Sequence, residues 1–281
     1  MSLVYHNGRI VEGVIGVDPY ERGLLLGDGL FETMLVVKGE ALWRNLHLAR
    51  MEGGANELGI AFDRQAADGA VDTLLTRAGG GHHVLRLTVT RGVGERGLAG
   101  PARAPMLLAS LDRFDADQMF RPARLLTSAV RRSPASPACR LKTISYIDNI
   151  SAAREAASRG ADDALMLTTT GQVSCATVAN VFLLKGKKLV TPSRDQAILT
   201  GVIRQILLSL APRLGLAAEE RAVTRAELHR ADAVFLTNSL RFLRPVSGLD
   251  GQSLPSRGLG PIIEALCEAA RLHSGHDPRL I

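Results

Sequence analysis

The sequence predicts an α+β chain with two sheet-containing halves. Three observations predict it. Several segments alternate apolar and polar residues and end at glycine turns; others carry apolar residues at helical spacing. Between the two groups lies a polar run, Asp112-Arg113-Phe114-Asp115-Ala116-Asp117-Gln118, with Pro122 just beyond, which reads as an interdomain linker. The expected division is residues 1–117, a smaller α/β domain, and 118–281, a larger one.

In chain order, residues 3–11 alternate around Asn7-Gly8, a type I′ turn signal, and predict a β-hairpin. Residues 31–37 predict a strand that turns at Lys38-Gly39-Glu40, followed by a helix holding Leu46, Ala49, Arg50 and Leu58. A second helix over 66–78 ends at Gly79-Gly80-Gly81, and strands follow at 84–90 and 106–111. Beyond the linker the pattern gives a strand over 123–130, a helix over 147–160 and a strand over 164–168 that ends at Thr168-Thr169-Thr170-Gly171. Next come a strand over 178–184 with the turn Lys185-Gly186-Lys187, a helix over 201–214, a strand over 233–237 and a last helix over 259–273. There is no internal repeat.

A chain of 281 residues, 46% of them hydrophobic, can bury one large core or two moderate ones. The first residues carry no apolar signal region, and no apolar stretch reaches the ~18 residues of a membrane span, so a cytoplasmic protein without a membrane partner is expected. Three widely spaced cysteines, Cys139, Cys175 and Cys267, are expected to be free thiols, and no histidine or cysteine spacing marks a metal site. The net charge of +6 comes mostly from scattered arginines such as Arg121, Arg124, Arg131, Arg132 and Arg140. With aromatics at only 4% and no Lys/Arg block, a nucleic-acid partner is not expected; a small anionic substrate accounts for local positive charge more simply.

The chemistry centres on Lys142, in Leu141-Lys142-Thr143-Ile144-Ser145-Tyr146-Ile147-Asp148-Asn149. Alone it would be one more solvated lysine. Three further motifs accompany it: Gly27-Asp28-Gly29-Leu30-Phe31-Glu32-Thr33 upstream, and Gly171-Gln172-Val173-Ser174-Cys175 and Leu199-Thr200-Gly201-Val202-Ile203-Arg204 downstream. Together they resemble the class IV (fold type IV) pyridoxal-phosphate enzymes, which include branched-chain and D-amino-acid aminotransferases and aminodeoxychorismate lyase. The resemblance runs from Asp18-Pro19 to about Val246. It implies two α/β domains with pyridoxal 5′-phosphate in the cleft between them, the larger C-terminal one binding the cofactor, and a homodimer whose partner subunit helps close the site.

By resemblance, Lys142 is the Schiff-base lysine, which also shuttles protons; desolvation near a cationic group would be needed to lower its pKa for that work. Tyr146 stands where some members place a tyrosine against the cofactor's phenolic oxygen, or is a core aromatic. Backbone amides at a helix start suit a phosphate, so Gly201, Val202 and Ile203 are candidates for the cup. The family usually has threonine where Ile203 stands, so one hydroxyl donor is missing. Ser239, in Leu236-Thr237-Asn238-Ser239-Leu240, matches a phosphate-binding hydroxyl, Arg50 matches the arginine that grips the phosphate, and Leu240 is expected beside the substrate. The loop Thr90-Arg91-Gly92-Val93-Gly94-Glu95-Arg96-Gly97 resembles the one carrying the substrate-carboxylate arginine, which would be Arg96, with Arg91 structural.

Cys175 departs from the family, which places a glutamate there against the pyridine nitrogen. A thiol of ordinary pKa ~8.5 does not keep that nitrogen protonated near neutrality, so a weaker electron sink is expected. A carboxylate from elsewhere, or lost activity, are the alternatives. The arginine-glycine loop, Asp195-Gln196-Ala197, and Thr237-Asn238-Ser239-Leu240 with Pro245-Val246 look most like aminodeoxychorismate lyase. Three readings follow: that lyase, an aminotransferase acting on D- or branched-chain amino acids, and a cofactor- or metabolite-binding homologue without activity.

Overall fold

The computed structural model describes residues 3–281, in two compact units. The first holds the chain up to Asp115 together with Leu141–Ser145 and Ala270–Ile281. Its strands are β1 (Leu3–His6), β2 (Arg9–Val11), β3 (Gly29–Val37), β4 (Glu40–Ala41), β5 (His82–Thr90), the small pair β6 (Val93–Gly94) and β7 (Ala102–Arg103), and β8 (Leu107–Arg113). Its main helices are α1 (Arg22–Leu26), α2 (Arg44–Leu58) and α3 (Arg64–Ala78). The antiparallel sheet runs in the order β2-β1-β8-β5-β3-β4.

The two-residue period of β3 sorts its side chains. Leu30, Met34 and Val36 turn into a core shared with Leu48, Met51 and Ala55 of α2 and with Ala70, Val71 and Leu74 of α3. Glu32 falls in the same register. The predicted hairpin is present, with Asn7 at φ 42° and Gly8 at φ 95°, as a type I′ turn demands.

The second unit comprises Ala116–Arg140 and Tyr146–Ala269. It contains strands β9 (Ala123–Arg132), β10 (Asp163–Thr168), β11 (Val173–Ala176), β12 (Asn180–Lys185), β13 (Lys188–Pro192), β14 (Ala217–Arg221), β15 (Ala233–Asn238), β16 (Phe242–Leu249) and β17 (Gln252–Ser253). With them are α4 (Pro137–Arg140), α5 (Ile147–Ser158), α6 (Val202–Leu210), α7 (Arg225–His229) and most of α8 (Gly260–Ser274). The sheet runs β11-β10-β9-β16-β15-β12-β13-β14, and the pair Cys175↔Asn180 joins β11 back to β12, which curls it into a barrel-like ring. Leu125, Leu165, Val181, Val234 and Leu236 share one core cluster of this unit; Cys175 belongs to another, with Ala152 and Ala156 of α5, Met166 and Ile198. No helix among the described residues is long and apolar enough to cross a membrane.

Three expectations are corrected. Asp112 and Arg113, read as linker, complete β8 and pair with Val84 and His83. The helix expected to reach 214 becomes 3-10 from Ala211, where Pro212 has no amide to continue the α-helical ladder. The expected division into 1–117 and 118–281 omits two returns to the first unit. The first return has a backbone cause: the Phe31 amide donates to the Lys142 carbonyl at 2.9 Å and the Ile144 amide to the Gly29 carbonyl at 3.0 Å, so residues 142–144 lie along the start of β3.

At Gly92 the backbone has φ 93°, and a Cβ there would come within 2.2 Å of the Arg103 carbonyl and 2.5 Å of the Ala104 carbonyl. Gly92→Ala is therefore expected to destabilise the protein by about 3 kcal/mol or more, seen as a lower thermal midpoint. Gly69→Ala, on an open face of α3, should leave the midpoint unchanged or raise it. Equal midpoints for the two variants would contradict this packing.

Candidate active site

Lys142 sits beside a buried ionic cluster of the first unit. Glu32 is fully buried and receives Arg50 Nε at 2.7 Å on Oε1 and Arg50 Nη2 at 2.6 Å on Oε2. His47 Nδ1 lies 2.7 Å from Oε2, and His47 is also fully buried. Burial by itself would raise the Glu32 pKa, but the Arg50 guanidinium and the His47 hydrogen bond outweigh it and hold the carboxyl well below the usual range. Burial pushes His47 down, so Glu32 stays the anion, Arg50 its cation and His47 a neutral donor. Three residues, just under one turn of α2, separate His47 from Arg50, which places both on the side facing Glu32.

The residue Lys142 as a whole is half-buried, yet its amine lies deep among protein atoms. Its Nζ stands over the Phe31 ring, 4.2 Å from the centroid, and the Arg86 guanidinium carbon lies 3.8 Å from the same centroid. Burial is the main force on the amine and Arg50 and Arg86 add repulsion; Glu32 only partly opposes them, so the pKa falls from 10.5 to about 8. The desolvation and nearby cations that the sequence argument required are present. A usable fraction of neutral, nucleophilic amine therefore exists near neutral pH.

Arg96 is not among the cations that act on the Lys142 amine. It stands in the exposed loop between β6 and β7. Arg22 holds that loop by donating to the carbonyls of Gly97 (2.9 Å) and Leu98 (2.8 Å). Asp28 joins Arg22 to Arg91, which also donates to the Leu58 and Gly59 carbonyls, so Arg91 is tied into structure. Burial opposes ionisation of Asp28, but its bonds from Arg91 and Arg22 hold the pKa below the usual carboxylate value.

The second unit gathers most of the remaining candidates. Ala197 is left-handed at φ 57°, and its carbonyl accepts from Arg132 Nε (2.9 Å) and Ser174 Oγ (3.0 Å). Asn180 Nδ2 bonds the Leu199 carbonyl at 2.8 Å. These anchors lead the chain to Gly201, which begins α6 with no side-chain cap. A Cβ at Gly201 would meet Asn180 Oδ1 at 2.2 Å, so only glycine fits. Val202 and Ile203, both buried, supply the first amides of α6, and Arg204 is pinned by the Pro192 carbonyl and Glu220.

Ser239 and Leu240 lie, half-buried, in the turn between β15 and β16, where Asn238 Oδ1 accepts from the amides of Leu240 (3.1 Å) and Arg241 (2.7 Å). Tyr146, also half-buried, is the residue before α5. Arg244 spends its guanidinium on the carbonyls of Arg121 and Pro122. Cys175 is 7% exposed, and burial pushes its thiol up against the opposing pull of Arg132 and of Ser174 Oγ at 3.7 Å. The carboxylate felt there, Asp163, is engaged by Thr177 Oγ1 at 2.6 Å and by the amide of Ala164 at 2.8 Å.

Sequence reasoning assigned no role to Glu32, His47, Phe31 or Arg86. For Glu32 there was a signal: a carboxylate stands at a core position of the alternation Leu30, Glu32, Met34, Val36.

Because the folded-state pKa of Lys142 lies below 10.5, the unfolded chain holds more protons between about pH 8 and 10.5. Stability from this group is present above 10.5 and lost as pH falls through 8. Cofactor-free Lys142→Met should therefore be the more stable protein at pH 7, by up to roughly 3 kcal/mol, with the gap closing across that window. A gap that does not change with pH in denaturant titrations would refute the assignment.

Residues 29–249 match the amino-transferase class IV family. The chain is 30% identical over 274 residues to a putative branched-chain-amino-acid aminotransferase of Methanocaldococcus jannaschii, covering 94% of each protein. It is 30% identical over 270 residues to the D-alanine aminotransferase of Bacillus licheniformis, covering 92% of each. Among solved structures it resembles the 4-amino-4-deoxychorismate lyase of Pseudomonas aeruginosa, with a TM-score of 0.86 and 31% identity over 98% of this chain and 100% of that one. The molecule described above, with its lysine and its uncapped helix start, thus belongs to the class IV aminotransferase family and is a pyridoxal-phosphate-dependent enzyme of fold type IV.

Proposed function

We propose that this chain is a lyase that converts 4-amino-4-deoxychorismate to 4-aminobenzoate and pyruvate. The residues fit the cofactor. A buried amine with its pKa lowered to about 8 suits an aldehyde, and the uncapped start of α6, where Gly201 leaves no room for a Cβ, suits a phosphate dianion. Lys142 would hold the aldehyde; Arg50, Ser239 and the amides of Val202 and Ile203 would hold the phosphate. When bound, the cofactor supplies an electron sink for the carbon bearing the substrate amine.

With the cofactor bound, Lys142 Nζ would take the proton from that ring carbon and give a proton to the enolpyruvate leaving from the neighbouring carbon, which becomes pyruvate. Arg86, fixed over Phe31 beside the same amine, is the arginine that the geometry favours for a substrate carboxylate. The observation that carries the lyase over the transaminase is Cys175. Its thiol is buried and pushed up, and the nearby Asp163 receives Thr177 and Ala164 on Oδ1. A weak electron sink is best tolerated by a reaction whose product gains aromaticity. The 30% identity to aminotransferases supports the second reading, transfer of the amine from a D- or branched-chain amino acid to a 2-oxo acid. The exposed row Leu24, Leu25 and Leu26 beside Tyr20 supports a homodimer.

The protein loaded with pyridoxal phosphate should release 4-aminobenzoate from aminodeoxychorismate with no oxo acid present, and borohydride should leave a pyridoxyl group on Lys142. Product only when an oxo acid and an amino acid are supplied would establish the transaminase instead. No adduct at Lys142 would favour a homologue without activity.

A further inference from the structure

The only tryptophan of the chain, Trp43, sits at the start of α2 in a left-handed conformation, φ 51°, and is 8% exposed. A non-glycine residue there is strained and must be held by its surroundings. No side chain of the segment itself caps the helix. In a capping box, an acidic or amide side chain three residues on would accept the amide of the capping residue, but Leu46 occupies that place. The acceptor comes from the far end of the chain. His273, in the last turn of α8, takes the Trp43 amide on Nε2 at 2.9 Å, and the two rings stack with centroids 5.9 Å apart and planes 29° apart.

The first turn of α2 hangs on this residue. The amides of Leu46 (2.9 Å) and His47 (3.2 Å) both donate to the Trp43 carbonyl. His47 then meets Glu32, and Arg50, less than a turn further, forks onto the same carboxylate. A shift of Trp43 moves the helix along its axis and with it both partners of a buried carboxylate.

We propose that His273 is a positioning residue, which fixes the start of α2 from the C-terminal helix and so sets Arg50 for an anionic phosphate ester. The phosphate part of this rests on the role proposed above for Arg50; the capping part does not. Two substitutions separate acceptor from ring. His273→Phe keeps an aromatic ring against Trp43 and removes the acceptor, whereas His273→Gln removes the ring and keeps an acceptor oxygen.

Hydrogen exchange on the full chain without cofactor reads the cap directly. The amides of 43–47 should exchange about tenfold faster in His273→Phe and return to near the parent rate in His273→Gln, in keeping with the usual worth of a helix cap. Binding reads the consequence. Pyridoxal phosphate should bind His273→Phe about tenfold more weakly, within a range of about 2- to 30-fold, and His273→Gln nearly as well as the parent. Pyridoxal, which lacks the phosphate, should bind all three alike.

Unchanged exchange at 43–47 in His273→Phe would overturn the capping. Faster exchange with equal losses for pyridoxal phosphate and pyridoxal would overturn the positioning of Arg50. If the parent chain forms no borohydride adduct at Lys142, the cofactor reading fails by itself, and exchange still decides the cap.

Discussion

The carboxylate of Glu32 is the constraint on which the first unit is arranged. A fully buried charge is tolerated only when paired and hydrogen-bonded, because the desolvation of an isolated ion amounts to several kcal/mol. Arg50 supplies the charge through two bonds and His47 a third bond. That requirement fixes how far α2 lies along β3, and it brings a guanidinium and a carboxylate near the Lys142 amine together. The lysine therefore experiences repulsion from Arg50 and Arg86, tempered by Glu32, instead of a simple ion pair. Were Glu32 a closer or less committed partner, it would stabilise the ammonium and take away the nucleophile.

The second unit holds the approach to α6 by a different means. Within 197–201, Arg132 and Ser174 bind the Ala197 carbonyl and Asn180 that of Leu199. Gly201, the cap residue, offers no side chain to the amides that open α6, and the helix dipole lies behind them. Ile203, on the first turn of α6, adds no hydroxyl to those amides. The same strand pair that closes the ring, Cys175↔Asn180, links this loop to the thiol.

Much of the fold was legible because the pleat and the helical period write themselves into apolar spacing. Asn7-Gly8, Lys38-Gly39 and Lys185-Gly186 mark turns the structure contains. Among the elements that escaped, α1 exposes leucines 24 to 26, β14 carries no buried residue from Ala217 to Arg221, and β11, β13 and β16 are buried without a clean alternation. Lys142 was conspicuous through its motif, whereas its partners were not. His47 and Arg50 come from α2 and Arg86 from β5, and their approach to one amine is a property of the strand pairing Thr33↔Arg86 and of the α2 register. Trp43 and His273, 230 residues apart, leave no local signature at all.

Cys175 is a neutral thiol at a buried position of the strand pair that closes the ring. A glutamate at this position would bring a charge into a cluster made of Ala152, Ala156, Ala164, Met166 and Ile198, and would need a permanent cation to hold it. Arg132 is the cation available, and both of its bonding nitrogens are engaged with backbone carbonyls, those of Ala197 and Cys139. A neutral thiol removes that demand, so Arg132 can serve the loop that leads to α6. The thiol thus leaves both Arg132 bonds to the backbone of that loop and of α4.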